Sequence, residues 1–212
     1  MNIIAPSFTL EEGLDGREIL WKIEKAGRVC YKSEDKMTEE SCEKFVAGLI
    51  RRGHESVIEH ASVTAVIVCD RGVSHEIVRH RIASYSQEST RYCNYSQDKF
   101  GRELTFIRPC FWAEDSPAYR IWADTMQSVE TAYFALLESG EEPQKARSIL
   151  PNSLKTELVV TMNLREWRHF FKLRTHKSAH PQMREVAAPM LRAFQARIPV
   201  VFADLDAEAS VM

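Results

Sequence analysis

The stretch from residue 61 to residue 69 has the sequence ASVTAVIVC. Five of these nine residues are β-branched valine, isoleucine or threonine. Side chains of this kind favour strands, and a short apolar run is typical of a strand that is buried in a sheet. We therefore predict a buried strand over Ala61–Cys69. Similar patterns predict a second buried strand over Lys155–Met162 and a short one over Leu104–Ile107.

Helices are predicted on either side of these strands, where apolar residues recur every three or four positions. They cover Arg17–Tyr31, Thr38–Arg52, Val73–Arg81, a long segment that opens at Ser116-Pro117 and stops at Gly140, Glu142–Ile149, Leu164–Arg174 and Gln182–Ile198. Thr38 is a candidate cap for the second helix, with Ser41 a weaker one, and Gly72 is expected to turn the chain before the third. Ser84–Gln97 is polar and aromatic without a clean period, and we expect a loop there.

The pattern as a whole predicts an α/β or α+β fold with more helix than strand. In the long helix the buried face is expected to carry Ile121, Trp122, Met126, Val129, Tyr133 and Leu136. Linkers rich in proline or glycine are absent from the sequence. We therefore predict a single domain over residues 1–212.

Composition describes an ordinary globular protein: 212 residues, 44% apolar, 27% charged, with a formal net charge of −2. This balance excludes a generic binder of polyanions and predicts no nucleic-acid partner. Residues 1–12 lack a basic region followed by an apolar run, and no stretch approaches the roughly 18 apolar residues that a membrane helix requires. A cytoplasmic protein with no membrane partner is expected.

Cysteine and histidine spacings argue against a disulfide framework and against a metal site. The five cysteines are odd in number, and none forms a CxxC pair, so reduced thiols are expected. His176 and His180 have the four-residue spacing of a zinc pair on a helix, but Pro181 follows at once and no third ligand stands at a usual spacing. Walker A and GxGxxG loops are also absent. Any nucleotide must therefore be held by side chains.

Arginines are concentrated in two regions, around residues 71–91 and between residues 165 and 197. Guanidinium groups bind phosphate through planar, paired hydrogen bonds and stay charged at all ordinary pH values. A solvated helix face is the alternative, and for the second region it is equally supported. In the first region Arg79-His80-Arg81 lies between apolar Ile77-Val78 and Ile82-Ala83, which favours a site. Residues 86–91 then offer hydroxyls and an arginine that could cradle a phosphate, although a polar turn would have the same composition.

The spacing of these residues resembles the signature of flavin-dependent thymidylate synthases. Arg79-His80-Arg81 is followed after seven residues by Ser89-Thr90-Arg91-Tyr92. Other segments that resemble elements of that family are Gly53-His54-Glu55-Ser56 with Glu59-His60, Ala146–Pro151, Asn163-Leu164-Arg165, and Leu173-Arg174 with His180 and Gln182 following. The matches run in order from about residue 50 to about residue 190, so the resemblance covers most of the chain.

The resemblance implies a fold and an activity. The fold would be α/β with a mostly antiparallel sheet and flanking helices, assembled as a homotetramer whose active sites are built from several subunits. The reaction would be the reductive methylation of dUMP to dTMP, with methylenetetrahydrofolate as carbon donor. FAD would carry the hydride, and NADPH would reload the flavin.

The resemblance also implies roles for individual residues. The residues implied to bind FAD are Ser56, Arg79, His80, Arg81, Gln87, Asn163, Arg165 and His169. The residues implied to bind dUMP are Glu76, Arg79, Gln87, Glu88, Ser89, Thr90, Arg91, Arg147 and Arg174. Arg174 would be the catalytic residue, because a guanidinium near N3 and O4 of the uracil stabilises the charge that develops as C5 becomes nucleophilic. No protein nucleophile is then needed, and Ser89 would bind or orient the substrate.

Two positions depart from the family's pattern. Glu76 stands where many relatives have glutamine, and His169 stands where some have asparagine. His54 could contact flavin or folate, or could have only a structural hydrogen bond.

Two other classes of protein would be compatible with parts of the sequence. One is a nucleic-acid-binding module built on the arginine clusters, and the other is a methyltransferase that needs no flavin. The pI of about 6.4 and the lack of a known binding motif disfavour the first. The presence or absence of bound flavin separates both from the family that the motifs resemble.

Overall fold

The computed structural model describes residues 1–206. Its strands are β1 (Asn2–Ile4), β2 (Ser7–Leu10), β3 (Ser62–Asp70), β4 (Ala83–Gln87), β5 (Thr105–Ile107) and β6 (Lys155–Asn163). Its α-helices are α1 (Gly16–Val29), α2 (Ser41–Arg51), α3 (Arg71–Ile77), α4 (Pro117–Glu138), α5 (Pro143–Ala146), α6 (Leu164–Arg174), α7 (Pro181–Arg197) and α8 (Pro199–Phe202). Short 3-10 helices cover Glu34–Lys36, Glu55–His60, Asp98–Phe100 and Arg147–Ile149.

The main sheet has four antiparallel strands in the order β2-β3-β6-β4, flanked by helices. This confirms the predicted fold class. β1 and β5 form a separate parallel pair, in which Asn2 lies opposite Thr105. Burial alternates along β3, where Val63, Ala65 and Ile67 are fully buried and the residues between them are half-buried. The central position of β3 and β6 explains why their sequences are the most strand-like in the chain.

By its internal contacts the chain divides into two compact units. Unit 1 comprises Met1–Ser7, Ile67–Arg79 and Ser86–Val159. Unit 2 comprises Phe8–Val66, His80–Tyr85 and the chain from Val160 onward. The single domain over 1–212 stays a prediction, and residues 207–212 lie outside the described residues.

Unit 1 is built around α4. Its core contains Tyr95, Leu104, Phe106, Trp122, Met126, Tyr133, Ala146 and Leu154. The side-chain hydroxyl of Ser116 accepts a hydrogen bond from the amide of Tyr119, so α4 begins where the sequence predicted. The predicted buried face is wrong at Ile121, which is 70% exposed. Trp122, also predicted on that face, is buried, and its indole N–H donates to the hydroxyl of Ser153 at 3.0 Å.

Unit 2 is built around α6. An aromatic core packs on it, with ring centroids 5.1 to 5.9 Å apart, and consists of Trp167, Phe170, Phe171, Phe194 and Phe202. On a second face of α6 the buried guanidinium of Arg168 donates two hydrogen bonds to the carboxylate of Asp204, at 2.6 and 2.7 Å, and one to Glu55 at 3.1 Å. These contacts fix the rotation of α6 about its axis, and so fix the direction in which its remaining side chains project.

Two helix boundaries differ from the prediction. α2 begins at Ser41, because the hydroxyl of Ser41 accepts a hydrogen bond from the amide of Thr38, and Thr38 lies before the helix as part of this turn. α3 begins at Arg71, because the carboxylate of Asp70 accepts a hydrogen bond from the amide of Val73 at 2.7 Å. Gly72 therefore lies inside a helix. α3 ends at Ile77, so a turn at residues 78–79 and irregular backbone at residues 80–81 replace the predicted helical end.

The predicted loop over Ser84–Gln97 is wrong in its first part, because Ala83–Gln87 is the edge strand β4 beside β6. Its alternate residues Ser84 and Ser86 are exposed, so the strand has no apolar run to reveal it. The predicted helix over Glu142–Ile149 is divided into α5 and a 3-10 turn. None of the helices in residues 1–206 has the length and apolarity that crossing a membrane would require.

Candidate functional site

Helix α6 presents most of the candidate side chains of unit 2. Asn163 caps it: the Oδ1 atom of Asn163 accepts a hydrogen bond from the amide of Glu166 at 2.8 Å. Arg165 and His169 are exposed, while Arg174 is half-buried at the last residue of the helix. Because residues three or four apart share one face of a helix, α6 lines Glu166 and His169 up beside one another.

His80 enters this face from the turn that follows α3. Its side chain is only 2% exposed. The rings of His169 and Phe170 lie edge-on to it, with centroids 5.5 and 5.0 Å away. The hydroxyl of Tyr85 donates to the carbonyl of His80 at 2.6 Å and so fixes the backbone as well.

Both ring nitrogens of His80 have defined partners. Nε2 accepts a hydrogen bond from Nε–H of Arg174 at 3.1 Å, and Nδ1 lies 3.1 Å from Oε1 of Glu166. A guanidinium N–H can only donate, so Nε2 must carry the lone pair. Nδ1 then carries the proton and donates it to the carboxylate. His80 is therefore a neutral imidazole in a chain of hydrogen bonds from Arg174 to Glu166.

The pKa of His80 is lowered. Burial is the main cause, Arg174 and His169 lower it further, and the hydrogen bond and charge of Glu166 oppose them. We expect NMR of protein with ¹⁵N-labelled histidine to give a midpoint below the ordinary value of about 6.5. Because the folded pKa lies below the unfolded one, the neutral ring contributes stability above about pH 6.5 that is lost as the pH falls. A midpoint at or above the ordinary value would contradict the lowering of the His80 pKa that burial is expected to cause.

Two cavities of unit 2 adjoin α6. The smaller, of about 420 Å³, is lined by Glu55, Glu59, Ile82, Asn163, Arg165, Glu166, His169 and Lys172. The larger, of about 910 Å³, is lined by residues that include His54, Ser56, Arg28, Lys36, Arg52 and Arg165. Arg165 lines both cavities, and its guanidinium donates to the carboxylate of Glu59 at 2.6 Å. Four of the predicted flavin residues, Ser56, Asn163, Arg165 and His169, thus border cavities large enough for parts of a dinucleotide.

His80, Glu166 and His169 also have the composition of a metal site, with ligand atoms within 4.8 Å of one another. The hydrogen bonds argue against a cation there. With Nε2 accepting from Arg174 and Nδ1 protonated, His80 offers no lone pair to a metal ion. His176 and His180 do not share a helix turn: His176 lies in the turn after α6, and His180 precedes α7 as its cap.

Unit 1 holds the other group of predicted residues. The amide nitrogen of Gln87 donates to the hydroxyls of Ser74 and Thr156, at 3.1 Å each. The carboxylate of Glu88 accepts from the hydroxyl of Tyr95 and from the ammonium of Lys155, at 2.8 Å each. The side chains of these two residues are therefore held rigidly at the end of β4.

The turn after β4 carries the hydroxyls and arginines that were predicted to bind phosphate. Oγ of Ser89 accepts from the amide of Arg91 at 3.3 Å, and Thr90 is 7% exposed. The guanidinium of Arg91 lies over the ring of Tyr92 at 5.2 Å. Arg79, Arg91 and Arg147 are exposed, and Glu76 is half-buried. The exposed guanidinium of Arg91, in the turn that follows β4, is suited to an anionic ligand.

The structure therefore separates the predicted residues into two groups. Unit 2 holds Ser56, His80, Arg81, Asn163, Arg165, His169 and Arg174. Unit 1 holds Glu76, Arg79, Gln87, Glu88, Ser89, Thr90, Arg91 and Arg147. Sequence reasoning did not single out Glu166 or Lys172, and the three-residue spacing of Glu166 and His169 is the one signal that points to the former.

Comparison with known proteins assigns this arrangement to a family. Residues 19–200 match the family model described as "Thymidylate synthase complementing protein". A flavin-dependent thymidylate synthase of Geobacter sulfurreducens is 38% identical over 84% of this chain and 78% of its own length. That of Pyrococcus furiosus is 39% identical over 81% of this chain and 70% of its own. The crystal structure of a UMP/dUMP methylase from Streptomyces cacaoi, bound with 5-Br dUMP, has a TM-score of 0.77 and 25% identity, and the match covers 96% of each chain.

Proposed function

The chain belongs to the flavin-dependent thymidylate synthase family, and we propose on that basis that it methylates dUMP to dTMP. The observation that carries the proposal is the family match over residues 19–200, which contains every candidate residue described above. The similar methylase of known structure binds a brominated dUMP, which supports the pyrimidine nucleotide as substrate.

We propose FAD as the flavin, NADPH as the reductant and methylenetetrahydrofolate as the carbon donor. The two cavities of unit 2 fit the first of these, because Arg165, Lys172, Arg28 and Arg52 line them and a flavin dinucleotide carries a pyrophosphate. When bound, the flavin supplies the hydride that the methylation requires. The cap of α6 keeps Asn163 beside Arg165 and so orients both toward the smaller cavity.

The nucleotide would be held by its phosphate and activated at its base. Arg91 and Arg147 supply charge to the phosphate, and Ser89 and Thr90 supply hydroxyls. Arg174 would act on N3 and O4 of the uracil, where its positive charge would stabilise the electron density that develops as C5 becomes nucleophilic. Ser89 has no neighbouring base among its described contacts, so it orients the substrate and does not attack it.

We further propose a homotetramer whose sites combine residues of several chains, acting in the cytoplasm. Support comes from the exposed arginines: Arg79, Arg81, Arg91 and Arg147 all lie at the surface of the single chain. These arginines can enclose a ligand only if further protein surface lies opposite them, and other copies of the chain would supply that surface. Light scattering of the purified protein gives the mass, and a monomer would contradict the assembly.

Bound flavin is the simplest test of the proposed function. We expect the purified protein to be yellow, or to take up added FAD with the absorption bands of a bound flavin. DNA titration at several salt concentrations is the parallel measurement, and we expect no tight, salt-sensitive binding. A colourless protein that does not take up FAD would contradict the proposal and favour a methyltransferase without flavin, whereas tight DNA binding would favour a nucleic-acid module.

A further inference from the structure

We propose that Glu166 is a positioning residue for the reaction: it holds His80 in one tautomer, and His80 in turn holds the guanidinium of Arg174 in its working orientation. The proposal rests on the proposed function, because that function gives Arg174 its role at the pyrimidine. None of the sequence motifs includes Glu166, and its importance arises from the fold.

The directions of the hydrogen bonds determine the tautomer of His80. An ionised Glu166 has no proton to donate and can only accept, here from Nδ1–H, and Arg174 can only donate, here to Nε2. His80 is the one residue of the three that can take either tautomer. If Nδ1 lost its acceptor, the Nε2–H tautomer would become available, and its proton would face Nε–H of Arg174. The carboxylate therefore selects the tautomer that binds Arg174.

The hydrogen-bonded side chains are also held rigidly. Glu166 is anchored at both ends, since its amide is capped by Asn163 and its carboxylate faces a ring that is itself 2% exposed. Arg168, on the same helix, is held by Asp204 and Glu55. The series of hydrogen bonds from Glu166 through His80 to Arg174 thus begins and ends on α6 and passes through a buried imidazole. A guanidinium is planar and rigid, so a hydrogen bond from its Nε–H fixes the orientation of the whole group.

The hydrogen bond between His80 and Arg174 should depend on pH. The titratable groups around His80 are Glu166, Arg174, His169 and, on its backbone carbonyl, the hydroxyl of Tyr85, and the uncharged ring of Phe170 packs beside them. Protonation of His80 places a proton on Nε2 and breaks the bond from Arg174. The rate should therefore fall as the pH falls through the pKa of His80. Because the charge of Glu166 raises that pKa, a neutral replacement should move the acid limb to lower pH.

The test compares Glu166→Gln and Glu166→Ala in the FAD-loaded enzyme. Glu166→Gln keeps an oxygen that accepts from Nδ1, so we expect kcat within about threefold of the parent and an acid limb shifted to lower pH. Glu166→Ala removes the acceptor, and we expect kcat to fall about 10- to 100-fold with a smaller change in KM for dUMP, because the phosphate contacts remain. NMR of ¹⁵N-labelled histidine should show Nδ1–H in the parent and in Glu166→Gln, and its loss in Glu166→Ala.

Asp204→Asn is the matched control, because it removes a carboxylate partner from α6 without touching His80. We expect it to lower the melting temperature and to leave both the tautomer and the acid limb unchanged. An acid limb of Glu166→Gln that coincides with that of the parent would overturn the proposal, even if Glu166→Ala does not fold. So would an equal loss of kcat in Glu166→Ala and Asp204→Asn. A parent enzyme that makes no dTMP would refute the proposed function, while the tautomer would still be read from the NMR signals.

Discussion

Arg174→Ala is expected to lower kcat for dTMP formation by two to three orders of magnitude while the protein still binds FAD. The guanidinium is the charged group that we place at N3 and O4 of the uracil, and removing one such group from a preorganised site costs roughly 10²- to 10³-fold in rate. FAD binding should persist because Asn163, Arg165 and His169 remain on α6. The measurements are steady-state turnover and the ratio of flavin to protein after gel filtration.

Two comparisons make this result specific. Arg174→Lys keeps a positive charge but loses the planar group and its Nε–H, so we expect it to recover only a small part of the rate. Arg192→Ala removes an exposed arginine of α7 and should have nearly the parent rate. Loss of flavin from Arg174→Ala, or a rate within a few-fold of the parent, would contradict the role assigned to Arg174.

His80→Ala is expected to raise the dissociation constant of FAD by about 10- to 100-fold and to lower turnover as well. The substitution leaves the buried carboxylate of Glu166 without its donor and opens space beneath His169 and Phe170. An unsatisfied buried polar group costs about 1–3 kcal/mol and a charged one more, and about 1.4 kcal/mol corresponds to a factor of ten in affinity. The imidazole of His80 is almost wholly buried and packs against the ring of His169. We therefore expect part of the loss of FAD affinity to come from displacement of His169.

Fluorescence titration of flavin-free protein measures this affinity. His60→Ala is the control, because it removes an exposed histidine from the same unit and should bind FAD like the parent. If His80→Ala lowers the melting temperature but binds FAD with unchanged affinity, the role of His80 is confined to the fold and to Arg174.

The central strands and most helices could be predicted from the sequence because local patterns determine them. β3 is rich in β-branched residues, and α4 begins at a serine followed by proline. β4 could not be predicted in this way, since its side chains alternate between half-buried and exposed and include no strong apolar residue. Its conformation comes from pairing with β6, a strand that is distant in sequence but adjacent in the sheet.

The candidate residues were predictable from motif spacing, whereas their environment was not. Resemblance to a family identified His80 and Arg174, which are 94 residues apart in the chain. Nothing in the sequence indicated that the two side chains are hydrogen-bonded, or that His80 is buried. Glu166 was missed for the same reason. Its function depends on a hydrogen bond with His80, which is distant in the sequence and lies next to Glu166 only in the folded protein.

The observed end of α3 determines where His80 lies. The apolar pattern predicted a helix that continued to Arg81. Asp70 caps α3 at its first turn, and the helix ends at Ile77. The turn that follows places the imidazole of His80 against Glu166 and Phe170. A helix that continued to Arg81 would have placed His80 on one of its own faces.

The most direct test of the proposed function is dTMP formation from dUMP, methylenetetrahydrofolate and NADPH, with protein that has been stripped of flavin and then reloaded with FAD. We predict that the reloaded protein forms dTMP and oxidises NADPH in step with it, and that the stripped protein, or a mixture lacking the folate, forms none. Equal rates with and without FAD, or no dTMP from protein that has bound FAD, would contradict it.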